Sequence, residues 1–140
     1  MPNIARENVD SSSLYLILKL NYHPNIVNIY NYEKNYIDIE LLNTDLSKID
    51  KSDIKNTMLQ VKHFLQNLGI IYIDWKYDQI GTDQRGNIKI FDFDGSGIIN
   101  KENLQWILPP PRFYSYNKAI TEGITNPFEI DNFSFNENFK

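Results

Sequence analysis

Cysteine is absent, which excludes a disulfide scaffold, a thiol nucleophile and a thiolate metal site. Histidine occurs only as His23 and His63, at no spacing that suggests a metal pair, so both read as structural. No apolar run approaches the roughly eighteen residues of a membrane span. The N-terminal Met1-Pro2-Asn3-Ile4-Ala5-Arg6-Glu7 lacks a signal-peptide core. The expectation is an intracellular, cytoplasmic protein that avoids membranes. Basic residues are outnumbered, 14 against 18 acidic ones, giving a net charge of −4 and a pI near 5.1. That balance argues against a nucleic-acid partner held by counterion release.

What is present is globular: 140 residues, 41% hydrophobic and 14% aromatic, suited to one domain with a real core. After polar residues 1–13, Ser11-Ser12-Ser13 suggests a helix start, and Leu14, Ile17, Leu18 and Leu20 form a short helical stripe that ends before Pro24. Alternation in Ile26–Tyr32 and Tyr36–Leu41, around Glu33-Lys34-Asn35, predicts a β-hairpin. Ile54, Met58, Val61, Leu65 and Leu68 recur at three and four residues, with Ser52 as the expected N-cap and Gly69 as the stop. A second hairpin is expected from Gln79-Ile80-Gly81 and Ile88-Lys89-Ile90-Phe91 around Asp83–Asn87. Beyond Asp92 the periodicity fades, and Gly95, Gly97 and Pro109-Pro110-Pro111 predict a long irregular loop. The fold class is therefore α+β.

Two acids stand out because each ends an apolar, strand-like run: Asp74 after Ile70–Ile73, and Asp92 after Ile88–Phe91. Such an acid is often aimed into a cleft, where it takes a proton or holds a metal. Lys76, two residues past Asp74, would share its face on an extended backbone. A base, a cation and a carboxylate for Mg²⁺ are minimal parts for phosphoryl transfer.

Five collinear blocks then resemble the eukaryotic-type protein kinase superfamily. His23-Pro24-Asn25-Ile26-Val27 resembles its "HPNIV" turn after the αC helix, and Tyr36–Leu41 the strand entering the nucleotide-binding hinge. Leu68–Asp78, LGIIYIDWKYD, is similar to the catalytic loop "LGIIHRDLKPE", and Gly86–Asp94, GNIKIFDFD, to "GNVKIIDFG". Asp74 and Asp92 stand the family's usual eighteen residues apart. Asp131–Asn136 resembles the start of the αF helix. The resemblance implies one truncated kinase-like domain, with residues 1–42 a remnant of the N-lobe carrying αC and the hinge strands, and residues 43–140 a partial C-lobe that stops inside αF. It implies Asp74 as catalytic base and Lys76 as the lysine that steadies the phosphate. Asp92 and Gln79 are implied as Mg²⁺ ligands, Phe93 as the packing aromatic of the "DFG" motif, and Glu40, Leu41, Leu42 and Gln79 as nucleotide contacts.

The departures shape the functional expectation. Tyr72 and Ile73 replace the family's His-Arg, Gln79 replaces Asn, and Asp94 replaces the "DFG" glycine. No G-x-G-x-x-G occurs, the αC-like helix begins almost at the N-terminus with no lysine-bearing strand ahead of it, and the αC glutamate would fall near Ser13 or Leu14. Those losses strike at phosphate cradling, the main catalytic contribution. The expectation is a pseudokinase or kinase fragment with impaired or absent phosphoryl transfer, with Mg-ATP bound weakly or not at all, engaging another protein kinase or a protein substrate. One alternative is a minimal Ser/Thr kinase. A second is an EF-hand-like Ca²⁺ loop at residues 92–103, which has oxygen ligands at Asp92, Asp94, Ser96 and Asn100 and glycine at Gly97. Against it stand Asn103 at the bidentate position and the absence of an entering helix.

Overall fold

The computed structural model describes residues 4–9 and 13–140, the Ser13 side chain excepted. It is a small α+β fold with four helices and antiparallel sheets among those residues. The chain divides into two compact units, Met1–Val61 with Asp78–Asp92, and Lys62–Tyr77 with Phe93–Lys140. No described helix is long and apolar enough to cross a membrane.

In the first unit, β1 (Ile4–Asn8), β2 (Ile29–Tyr32) and β3 (Tyr36–Glu40) form an antiparallel sheet in the order β1-β3-β2. Alternation on β3 buries Ile37 and Ile39, and the turn between β2 and β3 closes with the Glu33 amide donating to Tyr36 O at 2.8 Å. Ahead of it, α1 (Ser13–Leu20) buries Leu14, Tyr15 and Leu18, but Leu20 is 73% exposed and lies off the predicted stripe. Ser11 and Ser12 of the expected helix start lie outside the described residues. In the connection to β2, His23 is structural: its Nδ1 accepts from the Asn25 amide at 3.0 Å, and the Asn25 side chain donates to Ile88 O at 2.9 Å. The second hairpin is β5 (Ile80–Thr82) with β6 (Ile88–Ile90), antiparallel with Ile80 opposite Ile90. Asn43 and Thr82 exchange backbone hydrogen bonds at 2.8 Å, tying the segment after β3 to this hairpin.

The long helix α2 spans Lys51–Asn67 and buries Ile54, Met58, Val61 and Leu65 as its period requires. Its cap is Asp50 and not Ser52. The Asp50 carboxylate accepts from the Ser52 amide at 2.9 Å and from the Ser52 hydroxyl at 2.8 Å. Aspartate is as good a cap as serine and stands at the position where the first amides are unsatisfied. Gly69 ends the helix at φ 79, and a side chain there would also strike Ile99 O at 2.8 Å.

The second unit corrects the expectation of an irregular loop beyond Asp92. β4 (Ile70–Ile71), β7 (Gly97–Ile99) and β8 (Trp106–Leu108) form an antiparallel sheet in the order β4-β7-β8. α3 (Tyr114–Thr121) and α4 (Pro127–Asn138) follow, α4 capped by Asn126. Ile71, Ile73, Ile99, Ala119 and Ile130 share a core, with Trp106 and Phe133 packed against it. The C-terminal aromatics divide between core and surface. Phe135 and Phe139 are buried against Trp75, whereas Phe113 and Tyr114 are exposed.

Candidate functional site

The loop after β4 is built around a strained residue. Ile73 adopts φ 66, in the left-handed region that a β-branched side chain enters only at a cost of about 1–3 kcal/mol. Two tight turns follow, the Asp74 amide donating to Tyr72 O at 2.7 Å and the Trp75 amide to Ile73 O at 2.8 Å. As a result Tyr72, Ile73 and Trp75 are buried, while the Asp74 side chain is 15% and the Lys76 side chain 48% exposed. Asp74 Oδ2 and Lys76 Nζ lie 3.8 Å apart, so the two sequence-predicted catalytic residues share one surface.

What holds the strained loop is α4. Asp131 Oδ1 accepts from the Ile73 amide at 2.9 Å and from the Trp75 indole at 2.6 Å, and Asp131 Oδ2 accepts from Gln66 at 3.0 Å. The Ser134 hydroxyl donates to Ile73 O. Full burial pushes the Asp131 carboxyl above the ordinary aspartate range, against the pull of these donors and of nearby Lys62. The same burial pulls the Lys62 ammonium down. Sequence reasoning placed Asp131 in a helix but assigned it no role. A buried acid 58 residues from its partner leaves no local signature.

The segment after Asp92 docks on the same loop. Phe93 meets Tyr72 edge-on at 5.1 Å, and the Ser96 hydroxyl donates to Tyr72 O at 3.2 Å. Gly95 approaches so closely that a Cβ on it would lie 2.7 Å from Asp74 Cβ. The calcium-loop reading of 92–103 fails on this geometry: β6 leads into the segment and β7 runs through it, where an EF-hand needs an entering helix. Among the described residues no three His, Cys, Asp or Glu side chains gather to hold a metal.

The remaining predicted residues belong to the first unit. Gln79 is buried, and its carbonyl accepts from the amide of Phe91, the residue before Asp92, at 3.0 Å. The Glu40 carboxylate is committed to structure. It accepts from the Asn28 amide at 2.9 Å and from Lys89 at 2.6 Å, and Lys89 lies 3.4 Å from Asp83. Burial pulls the Lys89 ammonium down, but its two carboxylate partners outweigh this and leave it raised. The network lies in the wall of an open cavity of about 370 Å³ that also presents Tyr22, Tyr30 and Arg85.

Glu40, Leu41 and Leu42, the expected hinge, line a smaller slot of about 120 Å³ with Ala5, Glu7, Ile39, Thr44 and Phe91. β1 was not expected from the sequence, yet it forms one wall. Its alternation sends Ala5 and Glu7 to the slot, while Arg6 pairs with Asp38 at 2.8 Å and covers the Tyr36 ring. A strand thus does precede α1, and the charged residue it offers the slot is an acid. Among the described residues that line the slot there is no lysine, arginine or histidine. The donor set does not fit a nucleoside triphosphate, whose phosphates need cations or a nest of amides. No protein-family model matches the chain, and no curated protein matches it.

Proposed function

We propose that this chain is a protein-kinase-like protein without autonomous phosphoryl transfer. The observation that carries the reading is the Asp74 loop. A strained Ile73, clamped from α4 by Asp131 and Ser134, presents an acid and a lysine together, and the phenylalanine- and glycine-bearing segment packs against it. Strain persists where surrounding structure over-determines it, which occurs most often at functional sites. The LGIIYIDWKYD and GNIKIFDFD resemblances support the same reading. Loss of activity is supported by Glu7 in a wall of the slot and by Asp94 in place of the "DFG" glycine. The test is transfer of radiolabelled phosphate from Mg-ATP to a generic protein substrate. The expected result is no transfer above that of Asp74→Asn, whereas transfer by the wild type that Asp74→Asn abolishes would establish the minimal-kinase alternative.

A role as a binding module for another kinase is favoured by Ile107, 67% exposed, with Phe113 and Tyr114 also exposed in the second unit. A pure chain that binds no apolar dye would remove that role.

A further inference from the structure

We propose that the segment Pro109–Arg112 is a docking motif for a proline-recognition domain, one whose groove is walled by aromatic rings and carries a carboxylate beside them. The inference goes beyond the kinase-like reading and does not depend on it. Residues 109–113 join β8 to α3 and belong to no helix or strand. Three consecutive prolines fix φ at about −65° and hold the residue before each of them extended, which is the polyproline II conformation that such grooves read. Phe113 is extended too, at φ −78 and ψ 174. A polyproline II helix repeats about every three residues, so Pro109 and Arg112 fall on one side and Pro110 on another. Burial follows the same division. Pro109 and Arg112 are exposed, whereas Pro110 is buried against β7, where a Cβ on Gly97 would lie 2.9 Å from the proline ring. The motif is therefore pinned from behind and already ordered, so docking costs little conformational entropy. The Arg112 guanidinium stands 5.9 Å from the centroid of the Tyr116 ring, a contact that orients the charge without neutralising it and leaves it for a carboxylate.

The experiment is calorimetric titration of the full chain with isolated WW domains, one set with an acidic residue at the groove end and one with that residue neutral. The acidic set is expected to bind, to be displaced by oligoproline, and to bind more tightly than the neutral set by about fivefold, the effect of one exposed charge pair. Pro109→Ala should weaken binding about tenfold, since it removes both the ring and the preset φ, and Arg112→Glu should abolish the preference for acidic domains. Both side chains are exposed, so their replacement leaves the fold intact, which circular dichroism checks. Leu20→Ser, which removes an exposed apolar side chain from the first unit, should change nothing. Failure of every domain to bind, binding that resists oligoproline or is unmoved by Pro109→Ala, or an equal loss in Leu20→Ser would each overturn the proposal. Any of those results leaves the kinase-like reading standing, since that reading rests on the Asp74 loop.

Discussion

Replacing Asp131 by alanine should destabilise the second unit by about 2–4 kcal/mol. The figure follows from what Asp131 Oδ1 holds. The Ile73 amide and the Trp75 indole both donate to it, and both residues are essentially inaccessible to water. Each orphaned buried donor costs about 1–3 kcal/mol. Gln66 adds nothing to that cost, because its amide has a second acceptor in Asn132 at 3.2 Å. Partly offsetting the loss, an unclamped Ile73 can leave the left-handed region and recover some of its strain, of the order of 1–3 kcal/mol.

Asp131→Asn separates the acceptor from the charge. Its remaining oxygen can still face Ile73 and Trp75, so it should cost about half as much as the alanine variant, on the scale of a retained neutral hydrogen bond. The assay is urea unfolding followed by tryptophan fluorescence, since both tryptophans, Trp75 and Trp106, lie in the second unit. A cost below about 1 kcal/mol for Asp131→Ala, or equal costs for both variants, would refute the assignment of Asp131 as the clamp of a strained loop.

Three further outcomes are expected. Lys89→Met should cost about 3–5 kcal/mol in thermal unfolding, because it strands the Glu40 and Asp83 carboxylates at a site where the lysine side chain is only 6% exposed, whereas Glu40→Gln should cost far less. Gly95→Ala should cost about 1–3 kcal/mol by overpacking and alter the Asp74 carboxyl signal in NMR; Gly86→Ala meets nothing within 4 Å, so its only penalty is the φ of +82 and Asp74 is untouched. The two units should respond oppositely to acid. Burial pushes the Asp83 carboxyl up, but bonds from Asn87, Arg85 and Lys89 outweigh it and hold it below 3.8. Its stabilisation is present above that value and lost as pH falls through the folded pKa. Asp131 is raised, so its contribution is present below 3.8 and lost as pH rises through its folded pKa. Hydrogen exchange should show the β5–β6 hairpin losing protection first on acidification, and Asp83→Asn should remove that dependence.

The elements legible in the sequence were those whose signal is local. α2 announces itself by five apolar residues spaced three and four apart and a terminal glycine, and both hairpins by alternation around polar turns. The β4-β7-β8 sheet did not, because Ile70-Ile71, Gly97–Ile99 and Trp106–Leu108 are too short to show a period and owe their strand character to one another. α4 was legible only through the resemblance of Asp131–Asn136 to the start of αF, because its buried face sets polar Asp131 and Ser134 beside Ile130 and Phe135 and so shows no apolar stripe. Ser52 was mistaken for a cap because either residue satisfies the chemistry, and only the position of the first unpaired amides selects Asp50.

The candidate site divides along the same line. Asp74 and Lys76 could be chosen from spacing, since a motif names the residues that face outward. What makes their loop possible could not, because strain at Ile73 and its relief by Asp131 are joined only through the fold. β1 is the sharper case. Its five residues are mostly solvent-facing and show no hydrophobic alternation, so nothing marks them as a strand until Arg6 is seen opposite Asp38 in the β1–β3 register. That register decides which side chains face the slot. A slip of one residue would exchange Glu7 for Arg6 and invert the charge offered to a ligand. The sign of the charge that the slot presents is therefore a property of strand pairing and not of composition.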